Sequence, residues 1–105
     1  MTSDNISKVV ITVGEDKLGG VLDVPESKRE EFQQQSSTTA DYRQRLINYF
    51  IKYSPWADWS DLTSRLYLYE QPAAVEAARA FIAQTPGKAI ASVQIYNLLL
   101  PYLAH

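Results

Sequence analysis

Apolar positions in the second half of this chain recur at helical spacing, and those near its start cluster in short β-branched runs. Tyr42, Leu46, Tyr49, Phe50 and Tyr53 stand at i, i+4, i+7, i+8 and i+11, which places them on one stripe of an α-helix. Ile47 and Ile51 widen the stripe, and Arg43, Arg45, Asn48 and Lys52 are assigned mainly to the other side. Thr38 followed three residues later by Asp41 resembles a capping box, and Pro55 pushes Ser54 out of the helical region. These signals predict a helix over 41–53.

The connection after it carries both tryptophans, Trp56 and Trp59. Asp58 is placed to cap the next helix and Asp61 to complement its dipole, with Leu62, Leu66 and Tyr69 recurring at i, i+4 and i+7. Pro72 suits the first position of a further helix, whose stripe is Val75, Ala78, Phe81 and Ile82, with Glu76 and Arg79 paired outside. Thr85-Pro86-Gly87 breaks that helix, and 89–100 is a last, mostly apolar one ended by Pro101.

The first third reads differently. Lys8-Val9-Val10-Ile11-Thr12-Val13 is β-branched at every apolar position and predicts a strand. Gly14 to Lys17 supplies turn residues, and 18–24 returns as a second strand closed by Pro25. Gly19-Gly20 marks either a bulge or a close backbone approach. Residues 26–35 form a short polar helix anchored by Phe32, with a linker at Ser36-Ser37. The expected fold is α+β, mostly α: an N-terminal β-hairpin, a short polar helix and a compact four-helix bundle. Residues 1–7 are expected to be disordered, and 8–105 to form one domain made of the hairpin (8–24), helix and linker (26–37) and bundle (38–105).

Composition narrows the chemistry. The 105 residues carry a net charge of −2, no cysteine and one histidine, His105, the last residue. Thiolate nucleophiles, iron–sulfur sites and thiolate zinc sites are excluded, and a histidine-based triad or metal site would have to stand on the chain end. No Asp-rich calcium loop and no phosphate-cradling glycine motif is present. The start lacks the layout of a signal peptide, and no apolar run approaches the ~20 residues of a membrane span. A cytoplasmic, non-enzymatic protein without cofactor or metal is expected. Asp58, Asp61 and Glu70 are the carboxylates best placed for acid–base work, but helix ends already account for them.

Three binding readings remain. The first is a protein–protein interaction module, an adaptor, small subunit or regulator of a larger complex. Its partner surface would be Trp56, Trp59, Tyr53, Tyr67 and Tyr69, because Trp and Tyr are the usual anchors of interfaces. In that reading the tryptophans either fill the helix corner or present a ring to the partner, and the hairpin, marginal alone, offers a route to a homodimer. The second is single-stranded nucleic acid held by aromatics beside Arg43, Arg45 and Lys52. Against it, residues 38–105 hold six basic and five acidic groups, too balanced for a dedicated phosphate binder. The third is a small-molecule site lined by Tyr67, Tyr69 and Glu70.

Overall fold

The computed structural model describes residues 1–83, and all regular structure among them is helical. In order these are α1 (Ser3–Val9), a 3-10 turn (Val10–Thr12), α2 (Glu15–Val21), α3 (Glu26–Gln35), α4 (Thr39–Tyr53), α5 (Trp59–Leu68) and α6 (Pro72–Ala83). The predicted last helix at 89–100, the break at Thr85-Pro86-Gly87 and His105 lie outside the described residues.

The N-terminal β-hairpin is not formed: there is no strand among the described residues, and the fold there is all-helical rather than α+β. The reason is the spacing. Ile6, Val9, Val10 and Val13 stand at i, i+3, i+4 and i+7, and each is at most 1% exposed. An alternating strand would instead have grouped Val9 with Ile11 and Val13, yet Ile11 is 74% exposed. Strand propensity of β-branched residues measures fit to a half-buried pleated surface, and it yields to helical burial when the spacing supplies a continuous apolar stripe. Residues 1–7, expected to be disordered, instead supply most of α1, whose first turn is capped by the Thr2 hydroxyl accepting from the Asn5 amide at 3.2 Å. Gly14 to Lys17, read as a hairpin turn, starts α2, with Glu15 and Asp16 in its first turn where the helix dipole favours negative charge. Leu18, Val21 and Leu22 then bury a second i, i+3, i+4 set.

The Gly19-Gly20 pair marks a close approach of side chains to a helix rather than a bulge. A Cβ on Gly20 would stand 2.5 Å from the Tyr69 hydroxyl, and one on Gly19 would run into the Arg29 side chain. Both α2 and α5 end with the next residue but one in the left-handed region, Asp23 at φ 56° and Glu70 at φ 55°. The amides of Asp23 and Val24 return to the carbonyls of Gly20 and Gly19 at 3.1 and 2.9 Å. Those of Glu70 and Gln71 return to Tyr67 and Leu66 at 3.0 Å each. These paired bonds satisfy carbonyls that the helix end would otherwise leave open.

α4 carries the predicted helix with two more residues at its start. Thr38 Oγ1 accepts from the Asp41 amide at 3.0 Å. Tyr42, Leu46, Ile47 and Phe50 are its buried side chains. α5 and α6 pack most extensively against each other, burying Leu62, Leu66, Ala74, Val75 and Ala78. α1 touches α4 on one side and α6 on the other, and α2 likewise lies against α4 and α5. The N-terminal segment is thus the middle layer, with α3 resting on the outside of α4.

Candidate functional site

The feature most suited to binding lies where α3 crosses α4. α3 has no buried residue, but Phe32 leans onto Tyr49 with ring centroids 6.0 Å apart at 65°. Tyr49 in turn packs on Tyr53 at 4.5 Å. The three rings floor a groove of about 330 Å³ whose remaining walls are Lys28, Arg45, Asn48 and Lys52. No acidic side chain lines it. Tyr53, the most exposed of the three rings, is 52% exposed, and Lys52 Nζ lies 5.3 Å from its ring centroid, within cation–π range.

Two of the three cations on the rim are held by acids from the chain itself. Lys28 Nζ donates to Glu31 Oε2 at 3.1 Å, and this bond, then the charge of Glu31, raises the ammonium pKa above its ordinary value. Arg45 Nε meets Asp41 Oδ2 at 3.4 Å, and its Nη1 donates to Gln35 Oε1 at 3.1 Å. Glu31 also accepts from Gln35 Nε2 at 3.3 Å, so one small polar network spans the two helices.

The three cations considered for nucleic acid do not act together. Arg45 and Lys52 share the groove with Tyr49 and Tyr53, which corrects their assignment to the opposite face. Arg45, Tyr49, Lys52 and Tyr53 themselves stand at i, i+4, i+7 and i+8. Arg43 turns inward. Its Nη1 donates to the Val13 carbonyl at 2.7 Å and its Nη2 to the Val10 carbonyl at 2.6 Å, tying α4 to the 3-10 turn. It is committed to the fold.

The residues expected to form the partner surface are likewise divided. Trp56 is 73% exposed. Trp59 is half-buried, stacked on Phe81 with centroids 4.5 Å apart and planes 16° apart. Tyr67 is half-buried against the core, and Tyr69 lays its ring over Gly20. Only Tyr53 of the five lines the α3–α4 groove. Near Trp56 a second hollow of about 260 Å³ is walled by Met1, Phe50, Ile51, Ser54, Pro55 and Ala57, without a charged side chain among them.

Asp58 and Asp61 are spent on structure. Asp58 Oδ1 accepts from the amides of Ser60 and Asp61 at 3.0 Å each, and Asp61 Oδ2 accepts from the Asp58 amide at 3.0 Å. Partial burial pushes the Asp58 carboxyl upward, but the bonds from Asp61 and Ser60 outweigh it and hold the group below the usual aspartate range. A carboxylate saturated in this way is poorly placed to exchange protons with a substrate. Glu70 occupies the left-handed turn position after α5. Among the described residues no group of three or more His, Cys, Asp or Glu is placed to hold a metal ion, and no helix is long and apolar enough to cross a membrane.

Tyr49 belongs to the aromatics of the nucleic-acid reading, whereas Phe32, Lys28 and Asn48 belong to none of the expected sites. The α4 members were legible from the second stripe just described. Phe32 and Lys28 were not, because their place depends on how α3 crosses α4. Comparison with protein-family models, with curated proteins and with solved structures finds no match to this chain.

Proposed function

We propose that the protein is a non-enzymatic interaction module that binds a segment of another protein in the α3–α4 groove. The observation that carries this reading is the part-exposed aromatic floor of Phe32, Tyr49 and Tyr53 bordered by Lys28, Arg45 and Lys52. Aromatics and Arg are the residue types enriched at interface centres, and the groove has room for one or two side chains of a partner. The exposed Trp56 lies just beyond the C-terminal end of α4, on the connection to α5, and offers a further anchor. A homodimer through an N-terminal hairpin is no longer part of the reading, since that hairpin is absent.

A nucleic-acid site fits less well. Tyr49 packs against Phe32 on one side and Tyr53 on the other, so open faces on which bases could stack are scarce. The test is selection from a phage-displayed random peptide library, with a folded Tyr53→Ala variant as the counter-selection. Peptides that enrich on the wild type and shift the amide resonances of Phe32, Tyr49 and Tyr53 support the module. Enrichment no greater than on Tyr53→Ala would sink it.

A further inference from the structure

We infer that the groove takes an acidic segment bearing one aromatic or large aliphatic side chain, and that Glu31 and Asp41 act as internal stand-ins for that segment's carboxylates. The inference rests on the protein-binding reading and names the chemistry of its occupant. The apolar part is set by the floor. Phe32, Tyr49 and Tyr53 leave room for a side chain to lie against three rings, and every polar wall residue is either a cation or Asn48.

The acidic part follows from charge. Lys28, Arg45 and Lys52 surround the opening, no acid lines it, and a ligand with carboxylates beside its anchor would meet positive charge on each side. In the free protein two of these cations are already engaged, Lys28 by Glu31 at 3.1 Å and Arg45 by Asp41 at 3.4 Å. All four groups are partly solvated, with side-chain exposures of 47% and 46% in the first pair and 37% and 39% in the second. Solvated pairs of this kind are weak and exchange readily. An incoming carboxylate replaces a partner of the same chemistry, so the cations stay paired and the acids return to water. Lys52 has no acid among its groove neighbours and is the natural first contact.

This arrangement makes a prediction opposite in sign to ordinary loss of a surface contact. Removing the stand-in charge strengthens ligand binding, because the ligand no longer competes with it. The experiment takes a fluorescein-labelled peptide of alternating Glu and Asp around a central Phe, together with its Gln/Asn counterpart and with oligo-deoxythymidine. Anisotropy titrations are run against wild type, Glu31→Gln, Asp41→Asn, Lys52→Ala and Tyr53→Ala, each checked for folding by circular dichroism. Glu31→Gln and Asp41→Asn are expected to tighten the acidic peptide about two- to five-fold each, the scale of an exposed ion pair. The Gln/Asn peptide is expected to bind about ten-fold more weakly, and Lys52→Ala and Tyr53→Ala to weaken the acidic one.

If peptides bind through Tyr53 but the acidic and amide forms bind alike, or Glu31→Gln and Asp41→Asn fail to tighten, the charge-exchange inference is overturned and the binding module stands. Absence of any Tyr53-dependent peptide binding, in these titrations and in the library selection, overturns both. Oligo-deoxythymidine bound through Lys52 and Tyr53 in preference to every peptide would replace the protein ligand with single-stranded nucleic acid.

Discussion

Arg43 and Arg45 are two residues apart on α4, and the structure gives them opposite fates. Arg43 makes two short, charge-assisted bonds to the carbonyls of Val10 and Val13, whose side chains are essentially inaccessible. Hydrogen bonds to charged donors contribute about 1.5–3 kcal/mol each, and a carbonyl left without its donor in a part-buried site retains much of its desolvation cost. The two bonds share one guanidinium and are not additive, so Arg43→Ala is expected to cost about 2–4 kcal/mol. That is a large part of the 5–15 kcal/mol that typically separates folded from unfolded domains, roughly. Arg43→Lys keeps the charge but not the fork, and is expected to recover about half of the loss. Arg45 pairs with Asp41 at 3.4 Å in a setting where both side chains are more than a third exposed. Its truncation is expected to change stability by no more than about 0.5 kcal/mol. Urea unfolding followed by far-ultraviolet circular dichroism and by tryptophan fluorescence measures both, provided the two probes coincide and the m-values agree. With an m-value of ~1.5 kcal/mol/M, Arg43→Ala moves the midpoint down by about 1.3–2.7 M. A loss below about 0.5 kcal/mol for Arg43→Ala, or an equal loss for Arg45→Ala, would refute the assignment of Arg43 as a tie between α4 and the 3-10 turn.

Three further predictions follow from the fold. Ile6→Ala should cost about 2–5 kcal/mol and Ile11→Ala no more than about 0.5, by the same urea assay; the reverse order would restore the strand reading of 8–13. Glu70→Gly should raise stability by about 0.5–1 kcal/mol, since a side chain in the left-handed region is strained, and a lower melting temperature would contradict this. Asp58→Ala should cost about 1–2 kcal/mol at neutral pH by removing the α5 cap. The pKa of Asp58 is depressed in the folded state, so the advantage of wild type over this variant is fully present above the unfolded value of about 4 and fades as pH falls through the folded one. Unfolding curves showing the same difference at neutral and strongly acidic pH would overturn it.

What the chain disclosed about its fold depended on how the local and tertiary signals agreed. In α4 and α5 they coincide: Thr38 and Asp58 cap, Pro55 terminates, and the buried line Tyr42–Leu46–Phe50 keeps helical spacing. In the first 24 residues they conflict. β-branched composition argued for strands, while Ile6 at the head of the Val9, Val10, Val13 set argued for a helix. Ile6 stands two residues before the β-branched run 8–13, so the helical period shows only when the segment is taken from Ile6 onward. The site was partly legible for a related reason. Tyr49 and Tyr53 were grouped with the buried stripe because they share its spacing, but they stand at its edge, where the same helix also places Arg45 and Lys52. The stacking of Trp59 on Phe81 and the lean of Phe32 onto Tyr49 are contacts between elements, and no local pattern encodes them.

The position of α1 between α4 and α6 also bears on how the protein is made. Ribosomes add residues in order, so α1 emerges before the helices that enclose it. Ile6, Val9 and Val10, which lie beside α4, gain their remaining cover only when the α6 segment, residues 72–83, has been synthesised. At about 5–20 residues per second the nascent stripe stays incompletely covered for several seconds. Closure of this part of the core is therefore expected to wait until α6 has emerged, and the α1 stripe is the part most in need of a chaperone until then.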